Sequence, residues 1–220
     1  MTIQTKELIQ GIVNIFETSK FAGDYAALVV MHDGPGGSTQ ITYGRSQLTE
    51  SGGGLRRLLL AYQGKYAAQL MILANKFDDL TDNEEFKNLL VLAARDDEAM
   101  RKAQDAVFDE NYWHPALRFC EHEGLTLPLS QLLVYDSYIH SGKVPQFLRD
   151  RFNELTPVRG GNEKKWCRAY AQARRDWLAT HSSPLLRKTV YRMDFILGQM
   201  DADNWMLNRF PLNVHGVIVK

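Results

Sequence analysis

The sequence predicts a mainly helical α+β protein with one small β element near the N-terminus. Apolar residues recur at helical spacing over most of the 220 residues, and a convincing β pattern occurs only between about residues 24 and 44. The 26 basic and 26 acidic residues exclude a strongly basic nucleic-acid-binding protein, and the ordinary charge density does not suit a disordered chain. We therefore expect one globular domain over residues 1–220 that acts without nucleic acid. We also expect a monomer.

The first elements lie on either side of a glycine-rich turn. Apolar spacing predicts a helix over about residues 5–18. Residues 25–31 favour a β-strand, and residues 39–43 alternate between apolar and polar side chains. The segment Gly34 to Gly37 contains one proline and three glycines, which is typical of a turn. Together these segments predict a hairpin or short sheet.

Caps and helix breakers divide the rest of the chain into helices. The spacing of Thr81 and Glu84 is that of a capping box, so a helix should begin near residue 82. Gly124 and Gly142 are placed to end two helices. The tail, residues 201–220, is expected to be irregular. The other predicted helices cover about residues 55–74, 97–109, 115–123, 128–140, 144–155, 162–181 and 184–200.

Three charged residues fall on helix faces that are otherwise apolar. Because a lone buried charge is costly, such residues should pair with one another. The pairing could serve only to order the helices, or it could hold a catalytic carboxylate. The three are Asp136, on the stripe of Leu132 and Leu133; Arg174, between Tyr170 and Trp177; and Arg187, on the face of Val190 and Tyr191.

Two carboxylates lie where the first helix gives way to the β region. Glu17 ends the predicted helix, and Asp33 opens the glycine-rich turn 16 residues later. Glycoside hydrolysis requires such a pair, one to protonate the leaving oxygen and one to activate water. Spacing alone does not favour this pair over the simpler interpretation, in which Glu17 is a surface residue at a helix end and Asp33 an ordinary turn-initiating residue.

Several sequence blocks occur in an order that is typical of a known family. Glu17 is followed by Asp33 with its glycine-rich turn, then by Thr39, Gly44 and the helix from Leu55. The later blocks are Ala103–Asp109, Tyr112–Ala116, Val134–Gly142, Gly160–Glu163 with Ala173-Arg174, and Arg187. In this order, between about residues 8 and 200, the chain resembles the chitosanases of glycoside hydrolase family 46, which belong to the lysozyme superfamily.

The resemblance implies a lysozyme-like fold of two lobes with a substrate cleft between them. It also implies an inverting mechanism in which Glu17 is the general acid and Asp33 the general base. The attacking water would be held by Thr39 or Ser38. The charge network behind Glu17 would consist of Asp136, Arg174 and Arg187. The substrate-binding residues would be Gly36, Gly37, Tyr43 and Glu50.

Departures from the family pattern guide the choice of substrate. The family carries an aspartate before the helix that starts at Leu55, whereas this chain has Ser51 to Gly54 there, with Glu50 nearby. The chain is also neutral and has Arg56 and Arg57 beside the expected cleft. These features favour an endo-acting, muramidase-like enzyme that cleaves β-1,4 linkages in bacterial peptidoglycan. Hydrolysis of chitosan is the alternative, and a non-catalytic carbohydrate-binding domain is a second one.

Targeting and cofactor signals complete the expectations. No signal peptide and no apolar run of membrane-spanning length is visible. We therefore expect synthesis in the cytoplasm and delivery to the cell wall by a lysis or secretion system. Delivery machinery or an immunity protein would then be a partner besides the polysaccharide. The histidines lack metal-ligand spacing, and Cys120 and Cys167 do not suggest a zinc site, so we expect no metal and no cofactor.

Overall fold

The computed structural model describes residues 3–45, 47–77 and 79–220. A π-helical turn covers Asp109–Trp113, and 3₁₀ turns cover Pro35–Gly37 and Pro157–Arg159. The strands are β1 (Leu28–Met31), β2 (Gln40–Tyr43), β3 (Leu48–Thr49), β4 (Leu212–Val214) and β5 (Val217–Val219). The helices are α1 (Ile3–Thr18), α2 (Gly54–Ala61), α3 (Ala67–Lys76), α4 (Glu84–Asp96), α5 (Glu98–Phe108), α6 (His114–Glu123), α7 (Pro128–Ser141), α8 (Gln146–Arg149), α9 (Glu163–Ala179), α10 (Pro184–Arg187) and α11 (Tyr191–Asp201).

The chain forms two compact units. The first contains the chain up to Phe21 together with Tyr112–Lys220, and the second is the continuous segment Ala22–Asn111. The mainly helical α+β class with a small early antiparallel sheet, predicted from the sequence, is confirmed. Among the described residues, no helix has the length and apolar character that crossing a membrane requires.

In the first unit, α7 is the central helix. Every residue from Pro128 to Ser137 except the half-buried Gln131 is buried, and α1, α6, α9 and α11 all contact this helix. A helix that is buried on nearly all sides belongs in a core, so a charged residue within it must be paired with a partner. Asp136 lies in this buried stretch and has none of its side-chain surface exposed. The prediction that Asp136 faces inward is therefore confirmed.

In the second unit, three antiparallel strands in the order β1-β2-β3 pack against helices α2 to α5. The central strand β2 is buried along its whole length. Met31 at the end of β1 pairs with Gln40 at the start of β2. This register holds the two ends of the glycine-rich turn next to each other. The sequence predicted the two longer strands but not β3.

The predicted helix over residues 55–74 is in fact two helices, α2 and α3. The carboxylate of Asp97 explains the interruption, because its Oδ2 accepts hydrogen bonds from the Tyr62 hydroxyl at 2.5 Å and the Lys65 backbone N–H at 2.7 Å. A Cβ at Gly64 would overlap both this carboxylate and the Tyr62 ring. Glycine is therefore required at this break, and the apolar pattern alone did not reveal it.

The C-terminal tail is not wholly irregular, which corrects another expectation. Strands β4 and β5 form an antiparallel hairpin in which Val214 pairs with Val217. The two residues between them, His215 and Gly216, have φ angles of 49° and 88°. Two positive φ values are the geometry of a two-residue hairpin turn, for which Asn-Gly is the usual sequence. This turn has His-Gly instead of Asn-Gly, so the sequence did not indicate a hairpin.

Candidate active site

Glu17 lies on the last turn of α1, in the first unit. The preceding residue, Phe16, is buried, and its ring makes edge-to-face contacts with Tyr191 and Phe195 at centroid distances of 5.8 Å. The Tyr191 hydroxyl donates a 2.6 Å hydrogen bond to the carbonyl oxygen of Phe16. The end of α1 is thus held by α11, while 29% of the Glu17 side chain stays exposed.

A buried arginine connects Glu17 to the core carboxylate. Arg192 Nη2 donates to Glu17 Oε1, and Nη1 donates to Asp136 Oδ1 at 2.8 Å. Burial acts to lower the pKa of Arg192, but the carboxylates of Asp136 and Glu17 outweigh it and hold that pKa above its usual range. The guanidinium therefore stays charged and holds one Glu17 oxygen in a defined position.

A second arginine lies on the far side of Asp136. Arg174 is fully buried, with its Nε 3.9 Å from Asp136 Oδ2. Its Nη1 donates to Ser141 Oγ at 3.2 Å, and its Nη2 lies 3.0 Å from His140 Nδ1. Since a guanidinium can only donate, His140 Nδ1 must accept, and the ring is the neutral tautomer protonated at Nε2. Burial lowers the pKa of His140 to about 4, with Arg192 and Arg174 adding to the effect and Asp136 opposing it.

The structure corrects one member of the predicted network. Arg187 is exposed, and its Nη1 donates to the carbonyl oxygens of His181 and Ser182 at 2.6 and 2.9 Å. Arg192 occupies the position that we predicted for Arg187. The predicted helix 184–200 breaks between α10 and α11, so helical spacing cannot be carried across it. A usable signal was present nonetheless, because Arg192 precedes the buried residues Ile196 and Met200 at four-residue steps. The pairing of Asp136 with Arg174 was predicted correctly.

Asp33 lies in the second unit, two residues after β1. The turn that follows is closed by the Gly34 N–H, which donates to the carbonyl oxygen of Ser38 at 2.9 Å. Gly36 and Gly37 have φ angles of 68° and 79°, and no atom lies within 4 Å of a Cβ built on either residue. Backbone conformation, and not crowding, therefore requires glycine at these two exposed positions.

A chain of hydrogen bonds holds the Asp33 carboxylate. Gln40 Nε2 donates to Asp33 Oδ1 at 2.8 Å. The Gln40 oxygen, in turn, accepts from the Ser51 backbone N–H at 3.2 Å and from the Ser51 hydroxyl. Gln40 is 5% exposed. Sequence reasoning did not select Gln40 or Ser51, although a glutamine at the start of a buried strand is a signal that such a residue has a specific partner.

The remaining predicted site residues have mixed outcomes. Thr39 and Ser38 are both exposed, and Thr39 Oγ1 lies 2.8 Å from His32 Nδ1. Glu50 is partly buried, and its Oε2 accepts a long 3.4 Å hydrogen bond from the backbone N–H of Ile41. Tyr43 is completely buried in the helical core, where its hydroxyl donates to the carbonyl oxygen of Leu90 at 2.6 Å. This burial contradicts the prediction that Tyr43 binds substrate.

The two carboxylates have different hydrogen-bond partners. Glu17 is paired with a buried cation, whereas Asp33 is hydrogen-bonded to a neutral amide and otherwise exposed. In each, the structure shows a protein donor on one carboxyl oxygen, and in the part of the chain that the structure describes the other oxygen has no protein donor. A carboxyl group held in this way can exchange a proton with a substrate or a water molecule.

Comparison with known proteins gives a consistent result. The sequence profile of glycosyl hydrolase family 46 matches residues 11–210, which include both carboxylates. The chitosanase of Bacillus subtilis strain 168 is 27% identical over 229 residues, covering 95% of this chain and 81% of the relative. The crystal structure of native chitosanase from Bacillus subtilis MY002 has a TM-score of 0.79 at 24% identity and covers all of both chains. A Gynuella sunshinyii chitosanase in complex with chitotetraose has a TM-score of 0.78 at 21% identity, covering 100% of this chain and 98% of the other.

The extent of the family match, about nine-tenths of the chain, decides its classification. The match includes Glu17, Asp33, Asp136 and Arg174, four of the residues on which the resemblance was first based. The fold agrees with that of the solved chitosanases over the whole length. This protein is a glycosidase, and it belongs to glycosyl hydrolase family 46.

Proposed function

We propose that this protein is an endo-acting chitosanase that hydrolyses β-1,4 linkages of chitosan with inversion. The observation that carries the proposal is the Glu17 carboxylate, held by buried Arg192 in a chain that matches this family over residues 11–210. The relatives named above are chitosanases, and the Bacillus subtilis MY002 chitosanase was also solved as a glutamate-to-alanine mutant in complex with six GlcN units. Nothing comparable supports peptidoglycan, so the alternative substrate is favoured over our first expectation.

Glu17 and Asp33 have separate roles in this proposal. Glu17, as the general acid, protonates the oxygen of the leaving sugar. Asp33, as the general base, takes a proton from the water that attacks the opposite face of the sugar ring. Arg192 keeps Glu17 in one orientation, and Asp136 and Arg174 keep Arg192 in place. The network therefore contributes to the reaction by keeping the acid in position.

Thr39 is the stronger candidate for holding the attacking water. Its hydroxyl lies 2.8 Å from His32 Nδ1, so a neighbouring ring orients it, and it stays exposed. If the hydroxyl donates to that nitrogen, its lone pairs can accept a hydrogen bond from water. Ser38 remains the alternative, and Thr39→Val compared with Ser38→Ala separates the two.

The direct test compares two polymers and two active-site variants. Wild-type protein should release new reducing ends from chitosan and none from peptidoglycan. Glu17→Gln and Asp33→Asn should each lose this activity and remain folded, and Asp33→Asn should keep the wild-type melting temperature. Glu7→Gln is a matched control, because Glu7 is exposed on the same helix as Glu17.

Each other outcome would contradict one part of the proposal. Cleavage of peptidoglycan alone would restore our first substrate expectation. A wild-type protein that binds chitosan but cuts neither polymer would support the carbohydrate-binding alternative. Full activity in Glu17→Gln would show that the acid has been misassigned.

A further inference from the structure

A buried carboxamide connects the proposed catalytic base to the central strand of the sheet. We propose that Gln40 and Ser51 are positioning residues for Asp33: they hold the base in its reactive orientation without touching substrate. This inference rests on the proposed function of Asp33 as general base. It concerns the hydrogen bonds from Ser51 to Gln40 and from Gln40 to Asp33, all of which lie within the second unit.

The orientation of the Gln40 amide follows from its neighbours. A backbone N–H can only donate, so the Ser51 N–H must face the oxygen of the Gln40 side chain. The NH₂ group therefore points to Asp33, and the Asp33 oxygen that it contacts acts as an acceptor. The network thus fixes which end of the amide faces the base, an assignment that the position of the side chain alone does not make.

The location of Gln40 explains why such a contact is needed. Asp33 lies in an exposed turn with glycines at positive φ. Gln40 begins the buried central strand and pairs with Met31, two residues before Asp33. Through Gln40, the carboxylate is attached to the buried strand at the centre of the sheet. Its second oxygen, Oδ2, is left for a water molecule.

The consequence for the reaction is a defined position for the base. A reacting group displaced by about 1 Å can lose two orders of magnitude in rate. Loss of the Gln40 contact should therefore lower kcat about 10- to 100-fold. Because the Gln40 side chain is buried, its substitution should change KM by less than about twofold.

Two substitutions at Gln40 test the donor separately from the packing. Gln40→Glu keeps the size of the side chain and its acceptor for Ser51, but offers no N–H to Asp33. Gln40→Met removes the donor without adding charge. Both should show the loss of kcat with little change in KM. Ser51→Ala retains the backbone N–H and should lose less than about tenfold, and Ser51→Thr should restore wild-type kcat.

Thr42→Val is the matched control. Thr42 lies two residues from Gln40 on the same strand, is 7% exposed, and its Oγ1 has no hydrogen-bond partner among the described residues. The replacement keeps the shape and should leave kcat, KM and melting temperature unchanged. If both Gln40 variants also keep wild-type kcat, the proposal is wrong.

A second measurement requires neither the Gln40 variants nor the substrate. In ¹⁵N-labelled wild-type protein, the side-chain NH₂ of Gln40 should exchange with water much more slowly than that of exposed Gln47. Its resonance should shift in Asp33→Ala. Exchange as fast as that of Gln47 would overturn the proposal. If wild type fails to cut chitosan, the proposed function fails, while slow exchange would still support the contact between Gln40 and Asp33.

Discussion

Arg192→Met should destabilise the protein far more than Arg187→Met, although the two arginines are five residues apart. Arg192 is buried and donates to both Asp136 and Glu17, whereas Arg187 is exposed and donates to backbone carbonyl groups. In Arg192→Met, the one cationic partner left to the fully buried Asp136 among the described residues is Arg174, whose Nε is 3.9 Å away. Removing one partner of a buried ion pair costs about 3–5 kcal/mol, because the other charge stays buried and poorly compensated.

The expected loss can be converted into measurable quantities. A protein of this size loses about 2–4 °C in melting temperature for each kcal/mol, so Arg192→Met should melt about 6–20 °C below wild type. Arg187→Met should lose less than about 1 kcal/mol in the free energy of unfolding. Urea titration followed by circular dichroism gives both free energies, and thermal melts give an independent estimate. Arg192→Met should also lose most chitosan hydrolysis, because Glu17 is no longer oriented.

A double-mutant cycle identifies the cause of the loss. Replacing Asp136 with Leu together with Arg192→Met removes both charges, so the double variant should be more stable than the sum of the two single effects predicts. Equal free energies of unfolding for Arg192→Met and Arg187→Met would refute the assignment of Arg192 to the buried network. Strict additivity in the cycle would refute the ion pair as its basis.

Three further predictions concern pH, a backbone break and stereochemistry. Because the pKa of His140 is lowered to about 4, the unfolded state binds more protons than the folded state between pH 6.5 and 4, and stability should fall as pH falls through this window. Urea titrations of His140→Asn at several pH values should show a smaller fall. An unchanged fall would contradict the assignment. Gly64→Ala should lower the free energy of unfolding by about 1–3 kcal/mol, because its Cβ would overlap the Asp97 carboxylate. The matched variant Gly198→Ala should raise that free energy by up to about 1 kcal/mol, because a Cβ at this helical position meets no atom within 4 Å. The first product formed from chitosan should be the α-anomer, as inversion requires, and early NMR spectra that show only the β-anomer would exclude the proposed mechanism.

The sequence was most informative where a charged residue lies on an otherwise apolar helix face. Asp136 and Arg174 on apolar helix faces predicted a buried ion pair, and the structure contains one. The spacing that revealed them depends on a continuous helix. It failed for Arg187, because the chain breaks between α10 and α11, and the residue that completes the network is Arg192. Local periodicity cannot show such a break when no proline or glycine marks it.

Other features depend on contacts between distant parts of the chain, and the sequence pattern does not contain them. Gln40 was part of an alternating strand, and only its position beside Asp33 and Ser51 shows what it does. Gly64 is required because Asp97, 33 residues later, occupies the space that a side chain would need. Neither relation has a characteristic spacing. The family resemblance supplied the order of the proposed catalytic residues, while these contacts became visible only in three dimensions.

The division of the first unit between the two ends of the chain affects the order in which the protein can be completed during synthesis. The second unit is continuous, so all of its partners have been made once residue 111 has left the ribosome. Glu17, in contrast, lies 175 residues before Arg192 and remains without this ion-pair partner until residue 192 has been translated. Domains generally form as their residues emerge, so the second unit can fold before Glu17, the proposed general acid, is paired with Arg192. A prematurely terminated chain that contains Glu17 but not α11 therefore cannot orient this carboxylate.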